Sequence, residues 1–173
     1  MTTEIRHSHV LYRKGNVSLV REEATLPGGS AMETIVIRHP GASAILPFLD
    51  STTIVLIRQY RHAIGDYLWE IPAGTINDGE AALECAQREL TEETGYTAAR
   101  WDEMGHIIPA PGVSDERIHL YAAHQLSPAQ QRLDCDEIID VQQVSFDRAL
   151  EMVRKGLIVD AKSLCALMLF RPD

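Results

Sequence analysis

Gly74-Thr-Ile-Asn-Asp-Gly79-Glu80-Ala-Ala-Leu-Glu84-Cys-Ala-Gln-Arg88-Glu89-Leu90-Thr-Glu92-Glu93-Thr-Gly95-Tyr96 is the segment from which the rest of this chain can be placed. It opens on a loop of turn formers, Asn77-Asp-Gly79, and passes into a helical pattern with Leu83, Ala86 and Leu90 along one stripe. The spacing predicts a helix over 80–94, stopped by Gly95. On that helix Glu89, Glu92 and Glu93 stand at i, i+3 and i+4, so their carboxylates share a face. Like charges so spaced repel by about 0.2–0.5 kcal/mol per pair. Folding gains nothing from this. A hard divalent cation does, because Mg²⁺ is held by a few carboxylates together with water and phosphate oxygens. Taken alone, the triplet is equally what a solvated acidic helix face presents. Arg88 has two candidate partners, Glu84 four residues earlier or the loop, and Glu80 alone reads as a favourable charge in the first turn.

On the N-terminal side, Ile35–Arg38, Ser43–Leu49 and Thr53–Ile57 are β-branched or apolar runs cut by turn residues. The Thr53–Ile57 run is apolar at nearly every position, as a strand covered on both faces should be. On the C-terminal side, Arg117–Ala123 alternates as a half-buried strand. Ser145 is placed to cap a helix over Phe146–Lys155, and Asp160 one over Ala161–Phe170. Strands, helix, strands and helices in this order predict an α/β fold, a mixed sheet with helices on its faces. Residues 1–41 read as a strand-rich extension and 42–173 as the main domain.

The chain has 173 residues, 45% apolar and 24% charged, the composition of one globular domain. Sixteen Lys and Arg against twenty-five Asp and Glu leave a net charge of −9, which disfavours nucleic acid as a partner. A small anion remains open to it through a metal ion, which inverts the local sign. Cys85, Cys135 and Cys165 are odd in number and show no C-x-x-C spacing, so neither a disulfide framework nor a zinc ribbon is expected. His7-Ser-His9 is read as a terminal feature with no metal role. The longest apolar run, Leu164–Phe170, is far short of the roughly 20 residues a membrane span needs. Met1–Arg6 lacks the basic and apolar regions of a signal peptide. These features predict a soluble, cytoplasmic protein.

The segment 74–96 resembles the Nudix box, G-x5-E-x7-R-E-U-x-E-E-x-G-U with U a bulky aliphatic residue. Every charged and glycine position is matched without a gap, and only Tyr96 departs, aromatic in the final aliphatic slot. The resemblance implies a Nudix hydrolase: a mixed sheet sandwiched between helices (α/β/α) and a box that holds Mg²⁺, or Mn²⁺ in its place. It implies Glu89 and Glu93 as principal ligands, Glu92 as a further ligand or water contact, and the Ala73 carbonyl as a completing one. Arg88 and Glu80 would then orient the cluster. Flanking segments resemble the ADP-ribose pyrophosphatases: Arg58-Gln-Tyr-Arg61, Glu70-Ile-Pro-Ala-Gly74, Pro111 sixteen positions after Gly95, and Asp160-Ala-Lys-Ser163. Pro109–Glu116 is similar to the subfamily's loop, which implies Glu116 as the catalytic base, with Arg88 and Glu92 assisting. Arg61, Arg58, Glu70 and Pro111 would contact substrate; a guanidinium suits a diphosphate bidentately. Relatives carry an Arg-Glu pair for the nucleotide where this chain has Glu33-Thr34-Ile35. The function implied is hydrolysis of ADP-ribose to AMP and ribose 5-phosphate by a homodimer whose N-terminal strands reach the partner. The alternatives are GDP-mannose or another nucleotide sugar as substrate, or a Nudix-fold sensor that binds ADP-ribose without cleaving it.

Overall fold

A computed structural model describes residues 3–170. The extension is an antiparallel meander of β1 (Glu4–Lys14), β2 (Val17–Thr25) and β3 (Ala31–Arg38). β1 is exposed along its whole length, whereas β2 buries every second residue: Ser18, Val20, Glu22 and Ala24. Glu22 is tolerated on that stripe because Arg38 of β3 pairs with its carboxylate at 2.6 Å.

The centre is β4 (Ala42–Pro47), buried at every position. It pairs in parallel with β9 (Ile118–Pro128) and antiparallel with β7 (Ala73–Thr75); β8 (Tyr96–Ile107) closes the far edge of this mixed sheet. Alternation splits its side chains between two layers. Ile45, Tyr121 and Ala123 face Ala86 and Leu90 of α1 (Ala82–Thr94). Ala44, Leu46, Leu120 and Ala122 face Ala149 and Met152 of α2 (Phe146–Arg154) and Ala166 and Leu167 of α3 (Ala161–Leu169). A separate antiparallel sheet has β5 (Thr53–Arg61) between β10 (Ile139–Ser145) and β6 (Asp66–Glu70), with Ile54 and Leu56 in the same core. Among the described residues no helix is long and apolar enough to cross a membrane.

The caps follow the sequence. Ser145 accepts from the Arg148 amide at 3.1 Å, Asp160 from that of Ser163 at 3.2 Å, and Gly95 takes φ 71°. The first helix begins two residues later than its pattern predicts. Glu80 is drawn into the Asn77-Asp-Gly79 turn, donating from its amide to Asn77 O and accepting from the Asn77 amide. Glu84 then accepts from the Ala81 amide at 2.9 Å, so the carboxylate that caps the first turn is Glu84.

Candidate active site

α1 presents its acidic face to a cleft of about 490 Å³. The walls come from the end of β5 (Gln59, Arg61), from β7 and its loop (Ala73 to Asn77), and from a strap over 129–138 that brings Arg132, Asp134 and Glu137. The strap is laid across the end of α1: the Arg132 amide donates to Glu92 O at 2.9 Å, and Gln131 Nε2 to Glu93 O at 2.6 Å.

Arg88 is the hub of the acidic face. Its Nε and Nη2 grip Glu80 at 2.8 and 3.0 Å, its Nη1 reaches Glu89 at 2.6 Å and Glu92 at 3.0 Å, and Nη2 donates to Thr75 O at 3.1 Å. Of its two candidate partners it takes the loop, since Glu84 is spent on the cap. Arg88 thus ties the glycine loop to the helix, the bracing role that the spacing suggested.

Glu93 is the most buried acid of this helix, 1% exposed, and it accepts from the Ala73 amide at 2.8 Å. Ala73 therefore meets the cluster through its N–H. Burial, and then neighbouring Glu89, push the Glu93 carboxyl well above the usual range. Burial also raises Glu89, against the pull of Arg88. Gly74 explains how Glu89 fits so close to the loop: a Cβ there would lie 1.8 Å from Glu89 Oε1. Cys85, beneath this face, is pushed up by burial to about 11 and stays a thiol.

A second charged group adjoins the cleft. Arg61 donates from Nε and Nη2 to the two oxygens of Glu70, at 2.9 and 2.7 Å. Glu70 also accepts from Lys162 of α3, whose Nζ reaches Asp160 at 2.9 Å. Burial works to raise Glu70, but Arg61 and Lys162 outweigh it and hold the carboxyl below its ordinary value. Glu70 is 1% exposed with both oxygens taken, so it supports Arg61 and offers no free surface to a ligand. Arg58 lies on the other face of β5, its guanidinium 4.9 Å from the Tyr67 ring centre.

The loop with Pro111 and Glu116 is held elsewhere. Ile37 donates its amide to Val113 O at 2.8 Å, Asp115 accepts from Arg38 and the His39 amide, and Glu116 lies 3.7 Å from His39 Nδ1. Neither Pro111 nor Glu116 lines the cleft; their loop bridges to the end of β3 through Ser114 and Ile37. Two loop carboxylates of the strap do line the cleft, Asp134 and Glu137, and the charge of Glu137 adds to the upward pressure on Glu89 and Glu93. Sequence reasoning missed Glu137 because forty-odd residues separate it from α1 and only the strap brings it back.

Among the described residues no three His, Cys, Asp or Glu side chains are already gathered tightly enough to hold a metal ion, since Arg88 itself engages Glu89 and Glu92. The donor set still fits one. The acids are hard oxygen ligands, Glu93 meets the Ala73 amide and forms no ion pair among the described residues, and Gly74 lets the Glu89 carboxylate lie against the loop. A loop–helix with clustered carboxylates beside a mixed sheet between helices defines a class of metal-assisted hydrolase.

The comparisons agree. The NUDIX domain profile matches residues 37–167. An ADP-ribose pyrophosphatase of Bacillus subtilis is 36% identical over 153 residues, 87% of this chain and 83% of its own. A GDP-mannose pyrophosphatase of Cronobacter sakazakii is 35% identical over 139 residues, 75% of this chain and 72% of its own. A solved structure described as an ADP compounds hydrolase superposes with a TM-score of 0.84 over 98% of this chain and 92% of that one, at 22% identity, which speaks to the fold. This chain belongs to the Nudix family of hydrolases.

Proposed function

We propose that the cleft binds Mg²⁺, with Mn²⁺ able to replace it, and hydrolyses the diphosphate of ADP-ribose to AMP and ribose 5-phosphate. The observation that carries this is the pair of buried acids, both pushed up: Glu89, which lines the cleft with Arg61, and Glu93, which lies behind it against the lining residue Ala73. Glu89, Glu93 and the more exposed Glu92 would hold the ion, with the backbone at Ala73 beside them. A bound divalent ion supplies Lewis acidity and lowers the pKa of its water. Arg61, fixed by Glu70, binds the diphosphate, and Arg88 keeps Glu89 and Glu92 oriented. Glu137 is the better-placed base: Oε2 accepts from the Asp134 amide at 3.0 Å, which leaves Oε1 to take the proton of the attacking water. The assignment of that role to Glu116 finds no support in its position against β3.

The similarity to ADP-ribose pyrophosphatases supports this substrate, and the GDP-mannose pyrophosphatase supports the second reading, since Glu33-Thr34-Ile35 supplies no Arg-Glu pair for a base. A panel of nucleoside diphosphate compounds with MgCl₂, products identified by mass, decides. AMP and ribose 5-phosphate from ADP-ribose at the highest kcat/KM are expected. Higher kcat/KM for GDP-mannose would install the second reading, and ADP-ribose bound without turnover would mark a sensor. We place the protein in the cytoplasm as a homodimer, with residues 1–41 as the dimerising extension. The exposed β1 with Ile5, Val10, Leu11 and Tyr12 supports this, and light scattering tests it.

A further inference from the structure

The Asp160-Ala-Lys162-Ser163 element takes no part in the chemistry above, yet its lysine is buried beside the cleft. Lys162 stands in the first turn of α3 with its side chain 11% exposed, where the helix dipole disfavours a cation. Helix formation does not ask for it there. Its ammonium donates to Glu70 and to Asp160, and Glu70 in turn holds both donor arms of the Arg61 guanidinium.

We propose that Lys162 is a positioning residue that sets Arg61 for the substrate's diphosphate through Glu70; this rests on the diphosphate reading of the cleft. Charge gives the first reason. Arg61, Glu70, Lys162 and Asp160 together are neutral. Without Lys162, Arg61 is the one counter-charge left on buried Glu70, so its guanidinium is drawn into that ion pair and away from the diphosphate. Geometry gives the second. Glu70 Oε2 is shared between Lys162 and Arg61 Nη2, so the ammonium fixes the carboxylate against which the guanidinium lies. The same helix turn also pins the backbone after Glu70, since Ser163 Oγ accepts from the Ile71 amide at 2.8 Å. α3 thereby holds both the carboxylate and the chain that carries it.

The test is a double-mutant cycle on the full chain: wild type, Lys162→Met, Arg61→Ala and the pair, with kcat and KM for ADP-ribose in Mg²⁺ and a melting curve for each. Lys162→Gln replaces Lys162→Met if the latter does not fold. The expected result is a rise in KM of about tenfold for Lys162→Met with kcat nearly unchanged, and no further rise when Arg61 is already alanine. A merely structural lysine lowers the melting temperature and shifts kinetics by the same factor in both backgrounds; that result, or an unchanged KM in either single variant, overturns the inference alone. Failure of the wild type to cleave any nucleoside diphosphate removes the functional reading, and this inference with it.

Discussion

Glu70 and Glu93 are buried to the same degree, each 1% exposed, and their carboxyls move in opposite directions. Glu70 has two cations on it, and its charge is matched inside the protein. Glu93 has an amide and a second acid beside it, and its charge is left for something from outside to match. Burial alone therefore does not say what a carboxylate is for. The counter-charge is the better guide: in the proposed reading Glu70 belongs to the scaffold that aims Arg61, and Glu93 to the group that takes a ligand.

That contrast can be broken at several points. Glu93→Gln is expected to lower kcat on the order of 10³-fold while the protein stays folded, because it removes a proposed metal ligand and leaves no buried cation unpaired. Steady-state assays with a melting curve check this. Glu137→Gln is expected to lower kcat about 10²-fold and Glu116→Gln to leave it within a fewfold, each read as kcat against KM. A reversed ranking would return the base to the loop at β3.

Glu70→Gln attacks the other side. It leaves Lys162 and Arg61 without their carboxylate and should destabilise the fold by about 3 kcal/mol at neutral pH. The folded carboxyl titrates below its ordinary 4.5, so this stabilisation is present above that value and fades as pH falls through it. Urea unfolding of both proteins from pH 7 down to pH 3 should show the gap closing. Gly74→Ala is the mildest: its methyl displaces Glu89, and apparent metal affinity should weaken about tenfold with the Glu70 group untouched.

Much of this was legible in the chain itself. α1 announced itself because stripe, glycine stop and acid spacing are local, and Ser145 and Asp160 cap the later helices because a cap is read within three residues. β8 was not legible: Arg100, Asp102 and Glu103 interrupt its apolar pattern, and its register shifts between Glu103 and Gly105. The partner of Arg88 depended on which carboxylate the cap consumed, a competition visible only once the loop is folded. Lys162 reaches Glu70 and Glu137 reaches the cleft through tertiary packing of a distant helix and a strap, and no spacing encodes that. The placement of Glu116 was not legible for the complementary reason. The residue lies near the motif in sequence, but Arg38 and His39 hold its loop to the extension.

The most direct test of the account is Mn²⁺ binding to the metal-free protein, followed by calorimetry for the wild type, Glu93→Gln and Glu70→Gln. Saturable binding by the wild type and by Glu70→Gln, lost or weakened by at least an order of magnitude in Glu93→Gln, is the predicted result. Equal binding by the wild type and Glu93→Gln would contradict it.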